Sequence, residues 1–208
     1  MINANRRLAI GVLVALCSAS IMAVGDLCSY SMDPKSLSTC RSPSGMYRIE
    51  RRLETLRDGG GQGVLTITDE ATNKARRLYV YDRSVSIVWS PDSRHLILND
   101  FAGSDYTDNY IYDTAMARVV LDIRRRITVG LTGVERRRMT ANDHVYSSGY
   151  KWLGDDTIGV LAYGHGQHDR KGFCACYTVS ISGLIATCKE FATPPEVAPE
   201  EYCDKMSR

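Results

Sequence analysis

The residues best suited to chemistry lie in one polar loop, "GHGQHDRKG", from Gly164 to Gly172. This loop places His165 and His168 three residues apart and follows them with Asp169. Two imidazoles and a carboxylate are donor groups that zinc and copper accept. A loop has no regular face that would aim these side chains at one ion, so we interpret it as an exposed hairpin tip without metal. A metal-binding domain or metal-dependent enzyme that uses His165 and His168 is the alternative.

A second polar loop carries Asp100, Asp105 and Asp108. Their oxygens are the donor type that calcium prefers, but the Asp-x-Asp-x-Asp-Gly spacing of a dedicated calcium loop is absent, so a hydrated hairpin is expected. The chain also lacks the Gly-x-Ser-x-Gly turn that presents a nucleophilic serine. We therefore predict no catalytic residue, no cofactor site and no metal site, and the sequence favours a protein without enzymatic activity.

Six of the seven cysteines follow the first 25 residues, and we predict that they form disulfide bonds: Cys28, Cys40, Cys174, Cys176, Cys188 and Cys203. An even number of cysteines outside the cytosol favours disulfides. The alternative is a zinc site made by Cys174, Cys176 and the two loop histidines. It is disfavoured because one residue between two cysteines is tighter than the spacing of structural zinc sites.

The last predicted hairpin, residues 173–191, indicates how the cysteines pair. A loop centred on Ser182 places Cys176 opposite Cys188, at a separation that a disulfide can span. A two-residue loop shifts this register by one residue and removes the match. Cys174 lies on the same strand face and competes for Cys188. If Cys176 takes Cys188, the remaining pairs are Cys174 with Cys203 and Cys28 with Cys40.

The elements that must position these side chains begin after an N-terminal segment of 25 residues. Arg6 and Arg7 precede an uncharged apolar run from Leu8 to Val24, and small residues precede Asp26. This pattern predicts a signal peptide over residues 1–25 and a periplasmic or secreted protein without a membrane span after cleavage. An uncleaved membrane anchor is the alternative. Without Arg6 and Arg7 the chain carries 24 basic and 24 acidic side chains. Such neutrality argues against nucleic acid as the partner.

Short alternating apolar runs separated by turn residues predict antiparallel strands along the remaining chain. These runs repeat: "VWSPDSRHLILND" (residues 88–100) resembles "KWLGDDTIGVLAY" (residues 151–163), and "SPSGMYRIE" (residues 42–50) begins a weaker copy. Each copy has a polar turn before an apolar strand. We assign structural roles at these turns to Trp89, Pro91, Asp92, Trp152 and Asp155.

The stretch Trp89-Ser90-Pro91-Asp92, followed by an apolar strand, a polar loop and "YIYD", resembles a blade of the TolB-like β-propellers and their peptidase-associated relatives, which are Trp-Asp-type repeats. The resemblance implies that the turn joins the first two strands of a blade and that the Tyr-rich segment is the third strand. Ser93 stands where those blades usually have glycine. Complete propellers have about four to eight blades, and this chain shows three copies.

We therefore predict an all-β fold of three consecutive four-stranded antiparallel blade-like sheets, with a basic insertion between the second and third. The insertion contains two arginine triplets within residues 124–138 and a short helix over residues 134–141. The domain is expected to span residues 26–192 and to precede a Pro- and Glu-rich tail, residues 193–208.

The predicted function is that of a non-catalytic binding module whose partner is another protein or a second copy of the chain. The loops that display variable polar residues support this interpretation. Besides the metal-dependent alternative, a structural subunit completed by oligomerisation is a third possibility.

Overall fold

A computed structural model describes residues 27–166, 173–182 and 184–191. The predicted signal peptide, the C-terminal tail and His168 lie outside these residues. Within the described ranges, none of the helices combines the length and the apolar character needed to cross a membrane.

The described chain forms strands β1 (Leu27–Ser31), β2 (Thr39–Arg41), β3 (Tyr47–Thr55), β4 (Gly61–Asp69), β5 (Lys74–Tyr81), β6 (Ser84–Trp89), β7 (His95–Asp100), β8 (Asp108–Asp113) and β9 (Arg118–Asp122), helices α1 (Ile123–Gly130) and α2 (Gly133–Ala141), and strands β10 (His144–Trp152), β11 (Thr157–His165), β12 (Phe173–Ser180) and β13 (Leu184–Phe191).

The strands form three antiparallel sheets, as predicted. The first sheet has the order β2-β3-β4-β5, the middle sheet β1-β6-β7-β8-β9, and the third sheet β10-β11-β12-β13. Within each repeat, consecutive strands are neighbours in the sheet. The two helices lie between the middle and third sheets in the sequence. The middle sheet differs from the expected four strands because the N-terminal strap supplies β1, which pairs along β6.

The turn after the first strand of each repeat shows how Ser93 is accommodated where blades of this type usually have glycine. Gly45 and Ser93 occupy equivalent turn positions, with φ angles of 73° and 62°. This left-handed conformation is easy for glycine and strained for serine. Ser93 is buried, and its hydroxyl accepts a hydrogen bond from the backbone N–H of Ser44 at 3.0 Å. The serine therefore joins the turn of the middle sheet to that of the first sheet, which offsets its backbone strain.

The middle sheet is buried on both faces, and this explains its continuous apolar strands. In β6, Ile87 and Trp89 face the first sheet, whereas Val88 belongs to the core shared with the third sheet. In β7, Leu96 and Leu98 alternate with Ile97 in the same way. Successive strand residues point to opposite faces, so each of these strands contributes to two cores.

The outer face of the first sheet is charged. Ile49 in β3 points into the core, so its neighbours Arg48 and Glu50 lie on the opposite face. Arg48 Nε lies 2.8 Å from Glu70 Oε1, and Arg48 also forms an ion pair with Glu50. Arg52 forms an ion pair with Glu54 further along β3. Positive and negative side chains therefore alternate along β3 on this face.

A disulfide bond joins Cys28 to Cys40, as predicted. Cys28 lies in β1 and Cys40 in β2, so the bond links the middle sheet to the first sheet. Both cysteines are buried in the core between these sheets. The strap that precedes the first repeat is therefore fixed to two sheets.

The predicted register of the last hairpin is wrong. Cys176 lies opposite Lys189, and the pairing is irregular between Cys176 and Thr178, so a bulge replaces the uniform ladder on which the prediction depended. Cys176 is disulfide-bonded, and the side chains of Cys188 and Cys203 lie outside the described part of the structure. The Cys176–Cys188 bond accordingly stays a prediction.

Cys174 has a free thiol that is fully buried against Leu161. Its predicted partner, Cys203, lies outside the described residues. Burial raises the pKa of the Cys174 thiol to about 11. At neutral pH this side chain is a neutral core group rather than a reactive thiolate.

The basic insertion contains two helices where one was expected. α2 spans the predicted helix within one residue at its start. α1 follows β9 directly, and the Asp122 carboxylate caps it by accepting the N–H of Arg125 at 2.9 Å. Ile123 and Ile127, one helical turn apart, are buried in the core between the middle and third sheets.

Candidate functional site

Two segments that the sequence analysis singled out meet at one end of the middle and third sheets: the loop after β7 (residues 101–107) and the helical insertion. Val145 at the start of β10 donates its N–H to the Asp105 carbonyl at 2.9 Å and forms a parallel bridge with Tyr106. The segments enclose a cavity of about 360 Å³, here called the loop-side cavity. Its lining residues are Asp105, Tyr106, Arg124, Thr128, Met139, Thr140, Asn142, Asp143 and Val145.

α1 positions the cationic side of this cavity. Because Ile123 and Ile127 anchor the helix in the core, the residues that follow them, Arg124 and Thr128, lie one turn apart and both line the cavity. Arg124 Cζ lies 5.4 Å from the centre of the Tyr106 ring, and its Nη1 atom lies 3.6 Å from Asp108 Oδ1. The Arg124 side chain is 34% exposed. Such contacts contribute roughly 0.5–1 kcal/mol each, which orients the guanidinium and leaves it accessible.

The two threonines of the cavity are not arranged as nucleophiles. Thr128 donates its hydroxyl hydrogen to the Arg124 carbonyl at 2.9 Å, and Thr140 donates to the Arg136 carbonyl at 2.8 Å. Each hydroxyl is thus bonded to its own helix, with lone pairs left to accept hydrogen bonds. The cavity combines one guanidinium, the carboxylates of Asp105 and Asp143, hydroxyl groups and an aromatic ring. This set suits recognition of a polar group by charge and hydrogen bonding.

A histidine pair lies beside the cavity. His144 and His165 are opposite each other on β10 and β11, with ring centres 4.5 Å apart. His144 Nδ1 lies 2.9 Å from Asp105 Oδ1, so a protonated His144 would form an ion pair with that carboxylate. The sequence pattern paired His165 with His168, which is not among the described residues, and gave no indication of His144. Within the described residues, no three His, Cys, Asp or Glu side chains are grouped so that they could hold a metal ion.

The three aspartates considered for calcium have three different partners. Asp105 contacts His144, Asp108 contacts Arg124, and the Asp100 carboxylate accepts the hydroxyl of Tyr79 at 2.7 Å. The structure therefore distributes these carboxylates among a histidine, an arginine and a tyrosine instead of bringing their oxygens to one point.

Asp100 is the most unusual of these carboxylates because it is 5% exposed. Burial raises the pKa of Asp100; the Tyr79 hydrogen bond opposes this shift, and the charges of Asp108 and Asp82 add to it. The same contact and burial raise the pKa of Tyr79. Folding thus favours the protonated form of Asp100 relative to an exposed aspartate.

A buried polar cluster below the cavity fastens β10 to the middle sheet. Asn99 accepts the N–H of Gly149 at 2.9 Å and donates its amide to the Gly149 carbonyl at 3.0 Å. Asn109 donates to the Ser147 carbonyl at 2.8 Å, and Thr107 donates to the same carbonyl at 2.6 Å. Side chains thereby satisfy the backbone of β10 where no neighbouring strand does. No local sequence pattern predicts this cluster, because its partners lie 38 to 50 residues apart.

The two tryptophans occupy equivalent places. Trp89 and Trp152 end the first strands of their repeats, β6 and β10. The Trp89 indole N–H donates to Cys40 Sγ at 3.3 Å, and the Trp152 indole donates to the Val88 carbonyl at 3.1 Å. Cys40 and Val88 are each the next-to-last residue of the corresponding strand in the preceding sheet. Trp89 is fully buried, whereas Trp152 is partly buried and stacks on His95.

The carboxylates in the turns of the second and third repeats do not occupy the same position. Pro91 is exposed in its turn, and Asp92 accepts the Ser90 hydroxyl at 2.7 Å and the Arg94 N–H at 3.0 Å. Burial opposes ionisation of Asp92, but these hydrogen bonds outweigh it and lower its pKa. In the third repeat, Asp155 is exposed. The adjacent Asp156 instead accepts hydroxyl groups from Thr157 at 2.8 Å and Ser180 at 3.2 Å, so the predicted position is shifted by one residue.

A second concave surface lies on the other side of α1. This groove, here called the β9–α1 groove, has a volume of about 330 Å³ and is lined by Val120, Leu121, Asp122, Arg125, Arg126 and Val129. α1 thus separates two concave surfaces, with Arg124 and Thr128 on one side and Arg125, Arg126 and Val129 on the other.

No protein-family model matches the chain, and no curated protein matches it. Among solved structures, the chain is similar to the β-propeller domain of the Trilobed protease from Pyrococcus furiosus, which is described as having an open velcro topology. The TM-score is 0.47 and the sequence identity is 16%. The match covers 74% of this chain and 42% of that one, so the chain spans less than half the length of that structure.

Proposed function

We propose that this chain is a non-catalytic binding module that acts in the periplasm or outside the cell and contacts a protein partner through the loop-side cavity. The observation that carries the proposal is the convergence of the 101–107 loop, α1, α2 and β10 on one concave surface. Sites on loops held by rigid sheets are typical of binding modules.

The exposed chemistry of this surface supports a protein partner. Tyr106 is 41% exposed, and the accessible guanidinium of Arg124 lies over its ring. Tyrosine and arginine are enriched at protein interfaces and at the residues that dominate binding energy. Asp105 and Asp143 add negative charges on the same surface, so a partner would need groups of both signs.

The location outside the cytoplasm has separate support. The Cys28–Cys40 disulfide is typical of oxidising compartments. The signal-like first 25 residues agree with this, and the mass of the mature protein would test the predicted start at Asp26. The finer resemblance to TolB-like blades is part of the same proposal, and it is carried by the Trp-Ser-Pro-Asp turn rather than by the cavity.

The test is capture of partners from the native source by purified, oxidised protein. The variant Tyr106→Ala/Arg124→Ala removes the exposed ring and guanidinium of the cavity. The control variant Arg52→Ala/Arg94→Ala removes two guanidinium groups whose side chains are 78% and 80% exposed elsewhere. We expect a partner that the wild type and the control retain and the cavity variant loses. Retention of every partner by the cavity variant would refute the proposed surface.

The metal-binding alternative is tested on the same preparation. His144 and His165 contact each other, whereas His168 lies outside the described residues. The variant therefore changes His144 and His165. Stoichiometric zinc or copper that disappears in His144→Ala/His165→Ala would favour the metal-dependent alternative over the binding module.

A further inference from the structure

β9 is the last strand of the middle sheet. It pairs with β8 on one side, and no other strand in the described ranges pairs with its outer edge. The backbone N–H and C=O groups along such an edge can accept a further strand. With five residues, β9 provides room for a partner strand of similar length.

Apolar side chains lie on both sides of the groove beside this edge. Val120 in β9 is partly buried and Val129 on α1 is 68% exposed, and both line the β9–α1 groove. A groove with apolar side chains on both sides favours an apolar side chain from a docking strand.

Apart from the carboxylate of Asp122, the charged side chains along the groove are all positive. Arg118 is exposed at the start of β9, and Arg125 and Arg126 line the groove. The carboxylate of Asp122 is bonded to the N–H of Arg125 as the helix cap. Among the ion pairs of the described residues, none includes Arg118, Arg125 or Arg126.

α1 also departs from the charge preference of helices. Its first turn contains three arginines and no acidic residue, although the N-terminal end of a helix carries partial positive charge. Arg124 is compensated by Asp108, whereas Arg125 and Arg126 are not. This repulsion lowers the stability of the free protein, and an anionic partner would relieve it. Such local conflicts are expected at functional surfaces.

We propose that the β9–α1 groove binds an extended acidic segment of a partner protein. The segment adds as a strand to the outer edge of β9, places apolar side chains between Val120 and Val129, and directs carboxylates toward Arg118, Arg125 and Arg126. A general polyanion would use the arginines alone, without the edge or the valines. This surface is separate from the loop-side cavity, so neither proposal depends on the other.

The probes are three labelled nine-residue peptides in which every second residue is serine, and the remaining positions, which share one face of a strand, alternate Glu with Val, Lys with Val, or Glu with Ser. Binding to the full chain is measured by fluorescence anisotropy. We expect binding of the Glu/Val peptide, and affinities at least about tenfold weaker for the other two, because one lacks the charge and one lacks the apolar side chains. Equal binding of the Glu/Ser peptide would replace strand docking with a general anion surface, and no binding of the Glu/Val peptide would overturn the proposal.

Two variants with the same change in net charge locate the site. Arg125→Ala/Arg126→Ala removes the groove cations, and Arg136→Ala/Arg137→Ala removes two exposed arginines of α2. We expect roughly tenfold weaker binding in the first variant and less than about twofold change in the second. Similar losses in both variants would refute a specific groove.

Hydrogen exchange tests the strand itself. Addition of the Glu/Val peptide should slow amide exchange in residues 118–122 and leave residues 74–81 of β5, an edge strand of the first sheet, unchanged. Binding without new protection in β9 would exclude strand addition.

Discussion

Truncation of Asn99 tests whether the buried polar cluster fastens the third sheet to the middle one. Asn99 is 1% exposed, and its amide satisfies both the N–H and the carbonyl of Gly149. Asn99→Ala leaves these two backbone groups without their partners. The space around Gly149 is tight, since a Cβ atom there would lie 2.7 Å from Ile97 Cγ2.

The expected cost follows from the number of groups that lose a partner. A buried polar group without a hydrogen bond costs about 1–3 kcal/mol. The two Gly149 groups give roughly 2–6 kcal/mol. Ser86 and Asn109 also lose a hydrogen bond to Asn99, although the Asn109 amide keeps its bond to the Ser147 carbonyl. Water that enters the space left by the amide reduces the sum. We therefore expect a loss of about 3 kcal/mol, equivalent to a decrease of about 10 °C in Tm for a domain of this size.

The assay is urea and thermal unfolding of oxidised protein, followed by tryptophan fluorescence. Gln62→Ala is the matched control, because it removes a side-chain amide that donates to Glu54 at 3.1 Å on the outer face of the first sheet. Loss of that partly exposed bond should cost less than about 1 kcal/mol. If Asn99→Ala is no more destabilising than Gln62→Ala, the cluster does not fasten the sheets.

Three further perturbations test other parts of the fold. Trp89→Ala should cost about 3–5 kcal/mol and Trp152→Ala less, because only Trp89 is fully buried; equal costs in urea unfolding followed by circular dichroism would contradict this. Asp100→Asn should raise Tm at pH 7. Burial raises the folded-state pKa of Asp100 above its unfolded value of about 4, so stability is lost as pH rises through the folded-state pKa, and the advantage of the variant should vanish in acid. A pH-independent difference would exclude this cause. Cys28→Ser/Cys40→Ser opens a loop with a sequence separation of 12 and should cost about 3 kcal/mol. An unchanged urea midpoint would show that the bond adds no stability.

The strands and the repeat were predictable because both depend on local patterns. Alternation of apolar residues follows from the two faces of a strand, and the Trp-turn-strand order recurs at equivalent positions. The number of strands in the middle sheet was not predictable in this way. β1 joins that sheet through pairing with β6, from Leu27 opposite Val88 to Ser31 opposite Ser84, and nothing in the polar strap marks so distant a partner.

α1 was not predicted because the apolar residues around its start fit both the alternation of a strand and the four-residue spacing of a helix. Val119, Leu121 and Ile123 alternate as in a strand, whereas Ile123, Ile127 and Leu131 recur every four residues as in a helix. Asp122 before the second series is the cap that could have revealed the change.

The candidate site was predictable in its parts and not in its assembly. The polar 101–107 loop and the basic insertion were both recognised, but the pairing of Tyr106 with Val145 that brings them together is a long-range bridge. His144 was overlooked because its relation to His165 depends on the register of β10 and β11. Asn99 and Asn109 resemble ordinary residues at strand ends until their distant partners are known.

The charged outer face of the first sheet disfavours the stacking of another sheet against it. Stacking another sheet there would remove alternating charges such as Arg48, Glu50 and Arg52 from water, at a desolvation cost of several kcal/mol for each ion that is not compensated again. In this respect the face resembles the polar outer repeat of a solenoid. An engineered repeat placed against the first sheet should therefore fail to stack there.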